Sequence, residues 1–174
     1  MMNFTHTHYS SFIIYHSSFT IVFSHTTTLR VRYADTDQMG VVYYAKYLEY
    51  FEVARTDMLR AFGLPYSEIE ERGYILPVST ASVKYYVGAK YDDELAITAS
   101  FTPTSSPKID ITYIISRKSD GAMIADGTTT LVFVDRQTNK PTRAPQFYMD
   151  VIARMALARR SNLKYQIVVQ TSRF

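Results

Sequence analysis

Hydrophobic positions along this chain change period several times, and the changes divide it into elements. From Thr27 to Ala34 (TTLRVRYA) the residues read as a strand. After a polar turn, Tyr47, Phe51, Ala54, Met58 and Phe62 recur at spacings of four, three, four and four, which is the period of one helix face. Leu48, Val53 and Leu59 add apolar surface beside that stripe, so the helix is expected to be enclosed on much of its circumference. Gly63 followed by Leu64-Pro65 supplies a stop, and Ser67 with Glu70 three residues on reads as the capping box of a short helical turn ending before Gly73. The period then shortens. Tyr74–Val87, Glu94–Thr102, Lys108–Arg117 (KIDITYIISR) and Ala122–Val134 read as strands, separated by turn-forming stretches at Val87-Gly88, Tyr91–Asp93, Pro103–Pro107 and Ser119–Gly121. The loop Asp135–Pro145 leads to a last helix with Tyr148, Val151, Ile152 and Met155 on one face, and LKYQIVV near the end is either an edge strand or a docked tail.

Four consecutive strands with short links predict an antiparallel sheet. A helix apolar nearly all round requires that sheet to curve about it. The expected architecture is therefore α+β, with about five antiparallel strands wrapped around one long central helix, plus a C-terminal helix. Such a sheet leaves an edge or face open, and a second copy of the chain would cover it, so a homo-oligomer is expected.

At 174 residues the chain is one domain, large enough for a core of its own. Residues 1–25 contain no Lys, Arg, Asp or Glu, and their apolar runs are too short and too uncharged in front for a secretory signal or a transmembrane span. They are expected to be an appendage, with the working domain over 26–160 and a tail over 161–174.

Composition narrows the chemistry sharply. There is no cysteine, which removes disulfides, thiolate metal sites and cysteine nucleophiles and is compatible with a reducing, cytoplasmic location. All four histidines (His6, His8, His16, His25) fall in the first 25 residues, so the domain body is expected to hold no imidazole base and no His-ligated metal. Carboxylates, hydroxyls and backbone amides must carry any reaction. The net charge of +3 hides an asymmetry: residues 1–135 hold 11 basic against 15 acidic residues, and residues 136–174 hold 8 against 1. The basic end reads first as a solvated tail and helix face, and otherwise as a contact for phosphates or an acidic partner.

The stretch from Tyr33 to Arg60 contains the candidate chemistry. Tyr33-Ala34-Asp35-Thr36-Asp37-Gln38-Met39-Gly40-Val41-Val42-Tyr43-Tyr44, followed by Tyr47, Leu48, Phe51, Glu52 and Arg55, resembles the signature of the 4-hydroxybenzoyl-CoA thioesterase-like branch of the hotdog-fold acyl-CoA thioesterases. The resemblance runs over roughly 26–145. It implies a hotdog fold, a homodimer or homotetramer, and hydrolysis of an acyl-CoA thioester without metal or other cofactor. It puts the catalytic carboxylate on Asp37 and the oxyanion donor on the backbone N–H of Tyr44. Gly40 and Val41 form the loop passing the thioester, and Tyr43 and Tyr47 are candidates to line the acyl pocket. Lys140 and Arg143 are candidates for the CoA phosphates. Many members of the family carry histidine where this chain has Tyr44, so no side-chain imidazole is available to polarise the substrate here.

The residues support the same chemistry by themselves. Free N–H groups at a helix N-terminus are preplaced donors for a carbonyl gaining negative charge, and an aspartate seven residues upstream can reach that space to attack or to activate water. A thiolate leaving group, with a pKa of about 8.5, needs little protonation to depart. Asp35 reads as a structural turn residue, and Glu52 with Arg55 as a local ion pair or oligomer contact. The hydratases and dehydratases of the hotdog fold rely on a catalytic histidine paired with a carboxylate, and a domain body expected to hold no histidine argues strongly against them. A non-catalytic module binding acyl-CoA or acyl carrier protein is the alternative, and no helix pair suited to nucleic acid is visible.

Overall fold

The computed structural model describes residues 21–161. The expectations for most of the N-terminal appendage and for the tail after Ser161 lie outside those residues. Eight strands and three α-helices follow in order: β1 (Phe23–Arg30), α1 (Lys46–Ala61), α2 (Tyr66–Glu71), β2 (Tyr74–Ile75), β3 (Val78–Tyr85), β4 (Glu94–Phe101), β5 (Lys108–Arg117), β6 (Met123–Val132), β7 (Val134–Asp135), β8 (Lys140–Pro141) and α3 (Gln146–Ser161). The main sheet is antiparallel in the order β1-β4-β5-β6-β3, and β2-β7-β8 form a small second sheet. This is the α+β hotdog arrangement, a five-stranded sheet around one long helix with a further helix at the C-terminal end. Among the described residues no helix is long and apolar enough to cross a membrane.

Period-two alternation explains the sheet face that meets α1. Leu95, Ile97, Ala99 and Phe101 of β4 are buried and alternate with less buried residues, as do Ile109, Ile111, Tyr113 and Ile115 of β5. Tyr47, Tyr50, Phe51, Ala54 and Met58 form the buried face of α1. Phe51 lies flat on Tyr113, with ring centroids 4.1 Å apart, and passes over Gly127 of β6. A Cβ added at Gly127 would fall 2.6 Å from the Phe51 ring and 2.2 Å from the carbonyl oxygen of Ser82. Glycine is thus what lets helix and sheet close on each other here.

Several expectations need correction. The first strand starts at Phe23 and ends at Arg30, rather than covering Thr27 to Ala34, because Phe23 is buried against Phe62 and Phe101 while Tyr33–Asp35 form a 3₁₀ turn. Phe23, Ser24 and His25, assigned to the appendage, therefore pair with β4, and one histidine does belong to the domain body. Pro77, which has no N–H for a ladder, lies in the break that divides Tyr74–Val87 into β2 and β3. The loop Asp135–Pro145 contains β8. The short helix α2 starts at Tyr66, after Pro65, with no side-chain cap. Leu48 and Val53 of α1 are exposed in the single chain, so α1 is enclosed on one side and open on the other.

Register fixes the two ends of the main sheet. Arg30, Glu94, Arg117, Met123 and Tyr85 lie at one end; Phe23, Phe101, Lys108, Val132 and Val78 lie at the other. The chain leaves β1 at the first end, where Val31 exchanges backbone hydrogen bonds with Asp92 and Asp93. It is then fastened to α1 by Asp35. The Asp35 carboxylate, 1% exposed, accepts from the Arg32 backbone N–H (3.2 Å), from Arg32 Nη2 (2.8 Å) and from the Tyr50 hydroxyl (3.0 Å). Burial by itself would raise its pKa, but the bonds from Arg32 and Tyr50 outweigh that and hold it below the ordinary value.

Two outcomes follow from this packing. Gly127→Ala should lower stability by about 1–3 kcal/mol through overpacking against Phe51 and Ser82, seen as a lower urea midpoint; an unchanged midpoint would show that the contact relaxes freely. Asp35→Ala should cost about 1–3 kcal/mol near neutral pH by leaving the Tyr50 hydroxyl buried without its acceptor. Because the folded pKa of Asp35 is lowered, its contribution is present above the unfolded carboxylate pKa and is lost as pH falls through the folded one. The gap between wild type and variant should therefore shrink below about pH 4, and denaturation curves near pH 7 and pH 3 with equal gaps would contradict the ionic part of this account.

Candidate active site

Immediately after the Asp35 anchor the chain forms a small hairpin. Thr36 and Val42 make an antiparallel bridge, the Asp37 N–H donates to Val41 O at 2.9 Å, and the Gly40 N–H donates to Asp37 O at 3.0 Å. Gly40 sits at φ +72°, in the left-handed region where glycine is at no disadvantage, with open space where a Cβ would be. Its requirement is thus backbone conformation, not a crowded neighbour. The hairpin turns Asp37 outward and half-buried. One carboxylate oxygen, Oδ1, accepts the Met39 N–H at 2.8 Å, while Oδ2 has no partner among the described residues. Among the described residues the carboxylate is thus held by one oxygen only.

The hairpin is supported from below by Tyr85–Ala89, residues that the sequence marked only as a strand end and a turn. The Val42 N–H donates to Ala89 O at 2.8 Å, and Gly88 lies so close beneath Val41 that an added Cβ would be 2.7 Å from Val41 Cγ1. Tyr85 donates its hydroxyl to Tyr44 O at 3.0 Å and packs edge-on against Tyr47. The Val87-Gly88 pair was the signal available for this support, but a turn glycine and a glycine under a side chain look alike in a sequence.

Between the hairpin and α1 the backbone amides are unevenly used. The Tyr43 N–H donates to Asp35 O and the Lys46 N–H to Tyr43 O, each at 2.9 Å, whereas the N–H of Tyr44 has no acceptor among the described residues. α1 itself begins at Lys46, after Ala45, without a side-chain cap. Tyr44 therefore lies in the turn just ahead of the helix, not within its first turn, and its amide is open at the positive end of the helix dipole. The rings of Tyr43 and Tyr44 are 4.5 Å apart, and both are exposed. The Tyr43 hydroxyl is raised above its ordinary pKa, chiefly by the neighbouring Tyr44 hydroxyl and least by the charge of Asp37.

The remaining expected residues fall elsewhere. Tyr47 is buried between Tyr50 and Tyr85, and so backs the loop. Lys140 and Arg143 are exposed beyond the Val132 end of β6, at the other end of the sheet from the hairpin. A ten-residue strand spans roughly 30 Å, so these two do not meet Asp37 within one chain. His25 is also far from Asp37, toward the Phe23 end of β1. Glu52 and Arg55 form the expected ion pair on α1 at 3.0 Å. They border a cavity of about 200 Å³ between the second half of α1 and the sheet, and none of the expected site residues lines it. Among the described residues no three His, Asp or Glu side chains gather as metal ligands.

An open carboxylate oxygen and an open amide just ahead of a helix thus stand seven residues apart on one segment. Known proteins are similar to this chain in both sequence and fold. An acyl-CoA thioesterase of Haemophilus influenzae, YbgC, is 34% identical over 119 residues, spanning 68% of this chain and 86% of that protein. A DHNA-CoA thioesterase of Staphylococcus aureus superposes with a TM-score of 0.72 at 29% identity, covering 83% of this chain and 97% of that one. The 4-hydroxybenzoyl-CoA thioesterase of a Pseudomonas species shares the fold, with a TM-score of 0.65 at 23% identity over 74% of this chain and 98% of that one. The family description that matches residues 31–154, covering α1 and the whole sheet after β1, is that of the Thioesterase-like superfamily, and the chain belongs to it.

Proposed function

We propose that this protein is an acyl-CoA thioesterase, hydrolysing an acyl-CoA thioester to a carboxylic acid and CoA, with Asp37 as the catalytic carboxylate. The observation that carries this reading is the pairing of two unused groups on one short segment: Asp37 Oδ2 and the Tyr44 N–H, neither with a partner among the described residues. The thioester carbonyl oxygen is held by the Tyr44 amide with the positive end of α1 behind it, and gains negative charge as the carbon is attacked. Two routes fit the carboxylate. In the first, Asp37 attacks the carbonyl carbon, the C–S bond breaks, and CoA leaves as thiolate; water then hydrolyses the mixed anhydride. In the second, Asp37 takes a proton from a water molecule whose oxygen forms the new C–O bond while the C–S bond breaks. Neither route needs an imidazole, and the side chain of Tyr44 takes no chemical part.

The substrate surroundings follow from the same reading. Gly40 and Val41 form the loop beside the thioester, and Tyr43, exposed next to Tyr44, offers an aromatic surface to the acyl group. Lys140 and Arg143 act on CoA phosphates only when supplied by a second copy. That requirement fits a homo-oligomer, dimer or tetramer, as does the character of β3. β3 is a sheet edge along which every residue except Val83 is exposed, and Leu48, Val53, Tyr85, Tyr86 and Val87 add uncovered apolar area. An acyl carrier protein thioester is the second substrate form to be compared with acyl-CoA.

Thiol release should be measured on short aliphatic, long aliphatic and aromatic acyl-CoAs. Asp37→Asn should lower the rate by about 10²-fold or more while leaving the fold and assembly intact, and Tyr44→Phe should retain most of the rate because the donor is backbone. A wild-type protein that binds these thioesters without releasing thiol would overturn the enzyme in favour of a binding module. Single-turnover hydrolysis in heavy-oxygen water separates the two routes, since label enters Asp37 only through the anhydride. Sedimentation should give a mass of at least two chains; a species of 20.0 kDa would remove the oligomer from the account.

A further inference from the structure

The cavity between α1 and the sheet is unused by the proposed thioesterase chemistry. Its volume is about 200 Å³, and its hydrocarbon wall includes Met58, Ile111 and Leu131. An apolar cavity of about 150 Å³ is known to admit benzene, so this one has room for a group of ring size.

Its polar groups set it apart from a packing defect. Arg55, whose side chain is only 14% exposed, lies on the wall beside the Tyr113 hydroxyl, and among the described residues its one ion pair is to Glu52, whose side chain is 65% exposed. A guanidinium with five N–H donors is therefore mostly withdrawn from water while its counter-ion stays in it. Tyr148, 2% exposed and also on the wall, has a hydroxyl with no hydrogen-bond partner among the described residues. A desolvated cation bordering an apolar space is costly unless an anion joins it. The exposed Glu52 supplies that anion from outside, and can swing away into solvent at little cost when another takes its place.

We infer that this cavity is a binding site for a compact monocarboxylate, an aryl or short alkyl acid, whose carboxylate displaces Glu52 from Arg55 and whose hydrocarbon part sits among Met58, Ile111 and Leu131. The site lies beside the second half of α1, whereas Asp37 and Tyr44 lie ahead of its first turn. It does not depend on the thioesterase reading, since it concerns a free acid, and it is tested by binding alone.

Benzoate, with benzamide as its uncharged counterpart, is the probe for calorimetric titration of the full-length protein. The expected result is saturable binding of one benzoate per chain, with benzamide at least tenfold weaker. Arg55→Gln removes the charge and Leu131→Phe fills the apolar space, and each should weaken benzoate at least tenfold. Glu52→Gln removes the competing anion and should tighten binding several-fold, an effect that a purely structural ion pair would not produce. Asp37→Asn should leave benzoate affinity within twofold of wild type. Should Arg55→Gln fail to fold, the benzamide comparison and the other variants still decide. No saturable binding, equal affinity for benzamide, an unaffected Leu131→Phe, an unchanged or weakened Glu52→Gln, or loss of binding in Asp37→Asn would each overturn the site.

Discussion

The buried carboxylate of Asp35 joins three parts of this molecule that would otherwise be independent. It ties the chain leaving β1, through Arg32, to the second turn of α1, through the hydroxyl of Tyr50, while its own carbonyl receives the N–H of Tyr43. The hairpin bearing Asp37 starts at the next residue, Thr36, and returns to that carbonyl. Its position relative to the helix is thus set by one ionised group out of contact with water, whose bonds to Arg32 and Tyr50 outweigh the cost of burying it. A neighbouring aspartate two residues on has the opposite character: exposed enough to meet a ligand, and saturated on only one oxygen. The pair Asp35 and Asp37 shows how two identical side chains two residues apart divide, through burial and hydrogen bonding, into a saturated anchor and a carboxylate with an oxygen to spare.

The elements with strict periodicity were readable from sequence because their burial follows it. The stripe Tyr47, Phe51, Ala54, Met58 is the inner face of α1, and Ile109, Ile111, Tyr113, Ile115 is the inner face of β5. What could not be read are features that depend on residues distant in the chain. Gly127 lies within a strand rich in Thr, and only the approach of Phe51 across the sheet explains why a glycine stands there. Phe23 belongs to the core because Phe62 and Phe101 receive it, although its neighbours resemble an uncharged arm. Leu48 and Val53 counted as core by composition and are exposed in the single chain, since amphipathic periodicity does not say which molecule covers a face.

The same division holds at the site. Asp37, Gly40 and the segment running into the helix are local in sequence, so a motif could mark them. The support from Tyr85, Gly88 and Ala89 comes from a strand end some forty residues away, and Lys140 and Arg143, grouped with Asp37 by chemistry, are separated from it by the length of the sheet. Motif reading collects residues of the right type; register decides which of them can touch one ligand.

The bare start of α1 has a consequence of a different kind. Most helices end their orphan amides on a side chain of their own, commonly Ser, Thr, Asp or Asn. Here Ala45 occupies that position and caps nothing, and the preceding amide of Tyr44 is left open. On the proposed chemistry the missing acceptor is the oxygen of the substrate, which completes the helix for as long as it is bound and most strongly when it carries most charge. The protein is then a helix whose cap is a passing molecule, and each turnover is one cycle of supplying that cap and withdrawing it.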